Sequence, residues 1–84
     1  MTYQGDVDKD GKPNGKGISI EPNGDVFEGN FKDGKHHGKG TLTDKDGNVF
    51  EGEWKYDPQK NGHHVENGEI TLKSGKVIEG SFVR

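Results

Sequence analysis

Apolar and polar positions alternate along this chain in short stretches, and the stretches recur. Phe27, Gly29 and Phe31 share one parity, with Glu28 and Asn30 on the other. Successive side chains of an extended strand point to opposite faces, so the stretch predicts a strand with one aromatic-plus-glycine face and one polar face. Residues 38–43 follow the same rule, setting Gly38, Gly40 and Leu42 against Lys39, Thr41 and Thr43. No helical period of 3.6 residues is present, so helices are not predicted.

The pattern repeats. Phe27-Glu28-Gly29-Asn30-Phe31 returns as Phe50-Glu51-Gly52-Glu53-Trp54 and again as Ile78-Glu79-Gly80-Ser81-Phe82, with an early copy at Tyr3-Gln4-Gly5-Asp6-Val7. Between these blocks, Gly11-Lys-Pro-Asn-Gly15-Lys-Gly17 matches Gly34-Lys-His-His-Gly38-Lys-Gly40, and more loosely Gly62, Glu66 and Gly68. The units are approximately 3–26, 27–49 and 50–77, with a half unit at 78–84, in one domain covering 1–84. Each full unit reads as two short strands and two turns. Gly24, Gly47 and Gly75, beside Asn, Asp or Ser, sit where a tight connection needs positive φ, and Asp33-Gly34 does the same at the other end of a hairpin.

The predicted architecture is all-β: antiparallel hairpins in chain order, about seven strands, forming one elongated, twisted single-layer sheet. A glycine inside a strand normally weakens it. Recurring beside aromatic rings, it has a steric reason, because the missing Cβ lets a neighbouring ring lie flat on the backbone. Two irregularities stand out. Ile18 and Ile20 occupy the parity that is polar elsewhere, which turns that strand's apolar side to the opposite face. The third unit carries five extra residues within 56–62, read as a protruding loop around Pro58, and extra length on a repeat array commonly falls on the binding face.

Composition narrows the function. Only 24% of the 84 residues are apolar, against roughly 45% in ordinary globular chains, so a thick core is not expected. A net charge of −3, from 15 carboxylates and 12 lysines and arginines, is too mild and mixed for nucleic acid. There is no cysteine, hence no disulfide, thiolate metal site or thiol nucleophile. The absence of a long apolar run argues against a membrane span, and the expected setting is cytoplasmic.

The blocks resemble MORN (membrane occupation and recognition nexus) repeats, whose pattern is aromatic-x-Gly-x-aromatic, a glycine-rich turn, then Gly-x-Gly. Residues 27–42 fit it almost throughout, and Phe50-Glu51-Gly52-Glu53-Trp54 is an equally good opening. The departures are Val7 and Ile78 in aromatic positions, Glu66 in place of a glycine, and the five-residue insertion. The resemblance implies a non-catalytic scaffold that binds proteins or dimerises, with phospholipid binding as a second option.

Several constellations need weighing. Asp6, Asp8 and Asp10 before Gly11 look like the first half of a calcium loop. The bidentate acid such a loop needs at its twelfth position is here Gly17, so the segment reads as an Asp-rich turn. His36-His37 and His63-His64 point alternately to opposite sides, and strand spacing puts the pairs roughly 10 Å apart, too far to share one zinc. Gly38-Lys39-Gly40-Thr41 lacks the spacing of a phosphate loop. Ser19, Ser74 and Ser81 lie in or beside different strands, and nothing buries Glu51 or Glu53, as a raised general acid requires. No catalytic residue, cofactor or metal is expected.

The aromatic row of Tyr3, Phe27, Phe31, Phe50, Trp54 and Phe82 can shield its own glycines or stay open as a strip for a partner. Inner rings are expected to be structural, with Trp54 partly available beside the long loop. The leading expectation is a non-enzymatic protein-interaction module (an adaptor, scaffold or small inhibitor) contacting its partner through Phe31, Trp54, Tyr56, Asp57, Pro58 and Phe82. Exposed edge strands at both ends add homodimerisation. The alternative is attachment to anionic phospholipid through Lys32, Lys35, Lys39 and the nearby histidines. No small-molecule substrate is expected.

Overall fold

The computed structural model describes residues 2–59 and 62–83. They form seven strands: β1 (Thr2–Val7), β2 (Pro13–Ile20), β3 (Val26–Lys32), β4 (Lys35–Thr43), β5 (Val49–Asp57), β6 (Gly62–Thr71) and β7 (Val77–Val83). They make one sheet in chain order, each strand antiparallel to the next. The all-β hairpin array read from the sequence is therefore the fold.

Four connections share one geometry. Gly11, Gly24, Gly47 and Gly75 each donate N–H to the carbonyl three residues earlier, at 2.7–3.1 Å, and each has φ between +81° and +97°. The β3–β4 connection is tighter, with Asp33 and Gly34 both at positive φ, the two-residue turn whose twist suits a hairpin. Asp8 shows what the acidic stretch is for. Its carboxylate accepts from the backbone N–H of Asp10 at 2.8 Å and of Lys12 at 3.0 Å. Asp44 does the same for Asp46 and Asn48, both at 2.9 Å. The segment is an Asx turn.

Register produces three rows across the sheet. Gly5, Gly17, Gly29, Gly40 and Gly52 oppose one another in series, and Gly68 opposes Gly80 after a bulge in β6. Beside this strip of bare backbone runs an inner row of Tyr3, Ser19, Phe27, Leu42, Phe50, Ile70 and Ile78. The glycines are seats: a Cβ on Gly40 would overlap the Phe27 ring, and one on Gly17 would overlap the Tyr3 ring. On the outer face Gln4, Ile18, Glu28, Thr41, Glu51, Glu69 and Glu79 make the third row. Ile18 and Ile20 are on this face and exposed, as their parity requires.

Three features go beyond the sequence reading. The molecule measures 41 × 24 × 19 Å, thicker than the roughly 10 Å of an uncoiled layer. The sheet is coiled, and its inner side chains cover one another: Phe27, Trp54 and Val65 have 0% exposure, and Phe31 and Leu42 are buried beside them. A small core thus exists without a second layer. Second, much of the insertion in the third unit lengthens the hairpin. Lys55 pairs with His64, Tyr56 with His63 and Asp57 with Gly62, so the connection shrinks to 58–61, of which 60 and 61 lie outside the described residues. Third, the glycine lost at Glu66 is replaced one residue on. Gly15 and Gly38 hold positive φ at the bulges of β2 and β4, and in β6 that conformation falls on Asn67, at +50°, a residue that tolerates it.

Candidate functional site

Coiling brings together rings that lie on different strands. His36 of β4 stacks on Phe27 with centroids 3.7 Å apart, and His63 of β6 stacks on the other side of His36 at 4.4 Å. The two imidazoles belong to strands separated by β5, so the roughly 10 Å expected between the histidine pairs is wrong for these two. Their rings lean together over the intervening strand. His37 and His64 carry the opposite parity, as alternation demands. Trp54 closes one flank, edge-on to both Phe27 and His36, and its indole N–H donates to the Gly40 carbonyl at 3.0 Å.

This stack is electrostatically neutral. Burial, then the charge His63 and Lys35 would set beside it, lowers the His36 pKa to about 3. Burial and then Lys35 lower that of His63 as well. His36 Nδ1 and His63 Nε2 are buried without a hydrogen-bond partner, a cost that only close ring packing offsets. Near-parallel stacked imidazoles, 21° apart, aim their in-plane lone pairs side by side, which is not a chelating arrangement. Among the described residues no group of three or more His, Asp or Glu side chains is placed to hold a metal ion.

The stack reaches solvent at Tyr56. Its ring meets His63 edge-on at 5.4 Å and is 38% exposed, the one exposed aromatic among the described residues. Lys35 Nζ lies 4.7 Å from the ring centroid, within cation–π range. Around this pair Lys32, Asp33, Lys35, His36, His37, Lys55 and Tyr56 line a shallow cavity. Its rim carries three lysines and one carboxylate, so it favours an anionic or carbonyl-rich group.

The residues singled out from the sequence thus separate. Tyr56, the half-buried Asp57 and the exposed Pro58 sit together at the end of β5. Phe31 and Trp54 are inside the core, so the expectation of a partly available Trp54 does not hold. Phe82 is half-buried on β7, edge-on to Trp54 at 6.4 Å. Lys32 and Lys35 join the Tyr56 cavity, whereas Lys39 opposes Glu53 and lines a different, outer-face cavity with Glu51 and Gly52. Lys55 is the neighbour of the site that sequence reasoning missed. In the sequence His36 and His63 belong to two separate pairs, and the coiling brings their rings into contact.

A coiled array of antiparallel hairpins, with rings seated on glycines and a cationic cavity at one end, defines a tandem-repeat binding scaffold. The chain belongs to the MORN repeat family, whose model matches residues 3–26, 27–49 and 50–63. Members of that family are in general protein- or membrane-interaction modules, and the repeat is a binding type of module, not an enzymatic one. Comparison with curated proteins gives no match. No helix among the described residues is long and apolar enough to cross a membrane.

Proposed function

We propose that this chain is a non-enzymatic protein-binding module, acting as an adaptor, scaffold or inhibitor, whose contact surface is the cavity around Tyr56, Lys35, Lys32 and Lys55 with Asp57 and Pro58 beside it. One observation carries the reading. The other rings are used on glycine seats or within the core, whereas Tyr56 keeps its face outward with a lysine upon it. An exposed Tyr on rigid strand backbone, ringed by cations, is the kind of anchor on which binding energy concentrates. The partner segment it suits is extended and acidic.

The test uses the immobilised chain as bait in native extract, beside Tyr56→Ala and Lys35→Glu. A partner retained by the parent chain should be lost from both variants at unchanged melting temperature, with affinity falling by about 2 kcal/mol or more for Tyr56→Ala. Equal retention by all three would refute this surface. The same lysines suit anionic phospholipid, so co-sedimentation with phosphatidylserine vesicles is run in parallel. Vesicle binding that fades with salt, without a protein partner, would favour the membrane reading.

A further inference from the structure

Lys35 and His36 line two cavities. One is the Tyr56 surface. The other, of about 510 Å3, lies between the β2–β3 turn and the histidine stack, and its charge is opposite. Glu21 and Asp25 line it at the turn, and His36 and His63 line it at the stack. Among the described residues Lys35 is its one lining cation, and the Lys35 Nζ is engaged over the Tyr56 ring at 4.7 Å. The volume suits a small ligand or one long side chain.

The turn holds its two carboxylates in place. The Glu21 backbone N–H donates to the Asp25 carbonyl at 2.8 Å, and Asn23 Nδ2 donates to the Asp25 carboxylate at 3.2 Å. Glu21 accepts from Ser19 Oγ at 3.5 Å and forms no ion pair among the described residues. Across the cavity His36 is 8% exposed, and its buried Nδ1 has no hydrogen-bond partner. The Nε2 of His63 is in the same condition. Burial keeps both rings neutral, and a neutral imidazole can carry its proton on either nitrogen, leaving the other as an acceptor. Carboxylates and unprotonated ring nitrogens ask for a group that only donates. An ammonium is strongly hydrated and costs more to strip of water, whereas a guanidinium is flat, weakly hydrated and forked to match a carboxylate. We propose that the cavity between the β2–β3 turn and the histidine stack binds a guanidinium group, with Glu21 and Asp25 as its anionic partners. The site lies apart from Tyr56 and takes the opposite charge, so it goes beyond the function proposed above.

The test is an NMR titration of the 84-residue chain with acetyl-arginine amide. The backbone amide resonances of Glu21, Asn23, Asp25 and His36 should move and saturate. Acetyl-lysine amide should bind about fivefold more weakly, and the neutral acetyl-citrulline amide about tenfold more weakly. Glu21→Gln should weaken acetyl-arginine amide about fivefold. Glu28→Gln removes the same charge from the outer face and should leave binding unchanged. Tyr56→Ala should also leave it unchanged, which separates this result from the fate of the Tyr56 surface. Methylguanidine distinguishes the sources of the group: equal affinity assigns the cavity to a small free guanidine, and tighter binding of acetyl-arginine amide assigns it to an arginine residue. The absence of saturable shifts would overturn the proposal. So would equal binding of the citrulline compound, or equal effects of Glu21→Gln and Glu28→Gln. If Glu21→Gln fails to fold, Asp25→Asn takes its place with the same expectation.

Discussion

The indole N–H of Trp54 donates to the carbonyl oxygen of Gly40 at 3.0 Å, inside the sheet, with the whole Trp54 side chain out of contact with water. One bond thereby ties β5 to the same residue on which the Phe27 ring lies. Trp54→Phe keeps most of the packing and removes the donor. A loss of about 1–2 kcal/mol is expected, mainly the cost of leaving a buried acceptor unpaired. Urea unfolding should show a lower midpoint at an unchanged slope.

Seat glycines and turn glycines should behave differently on substitution. In Gly40→Ala the new methyl overlaps the Phe27 ring, which is itself pinned by His36 at 3.7 Å, so about 3 kcal/mol of destabilisation is expected from overpacking. Gly34→Ala meets open space and suffers only the strain of φ +80°, about 1 kcal/mol. Thermal melts of the two variants side by side check the ordering.

The histidine stack makes the fold acid-sensitive. The folded-state pKa of His36, about 3, lies below its ordinary 6.5, and that of His63 is lowered too. Below pH 6.5 the unfolded chain therefore binds more protons than the folded one. The stabilisation is complete above about 6.5 and is lost as the pH falls from there toward 3, by up to about 1.4 kcal/mol per pH unit for each histidine. His36→Phe preserves the stack and removes an unpartnered buried nitrogen. Its melting temperature should equal or exceed the parent's at pH 7 and fall less steeply between pH 6.5 and 4.

On the outer face Glu69 sits directly between Glu51 and Glu79, an arrangement of like charges that works against pairing. Glu69→Lys converts two repulsions into two attractions. A gain of about 1 kcal/mol at low salt is expected, shrinking as ionic strength rises. A melt at two salt concentrations measures both.

Strand order, turns and glycine seats were legible because each is a local matter. Period-two alternation fixes which residues share a face, and Asp33-Gly34 or Gly47 fixes where the chain reverses. Coiling is collective, the summed twist of seven strands, and no single stretch encodes it. For that reason Trp54 read as partly open when it is enclosed, and His36 and His63 read as distant when their rings touch. Tyr56 reads as part of a protruding 56–62 loop, whereas it lies in β5, with Lys35 and His63 reaching it from the neighbouring strands. Asn67 taking the conformation that Gly38 holds one unit earlier was hidden for a simpler reason: the bulge moved by one residue.

Because every strand pairs only with its neighbours in the chain, no contact in the ladder waits on a distant segment. Loop closure is therefore cheap at each step, and any hairpin can nucleate the rest. The same connectivity governs the response to tension. Pulling on β1 and β7 from opposite edges would load each ladder one hydrogen bond at a time, so the sheet should unzip hairpin by hairpin at low force instead of shearing as a block.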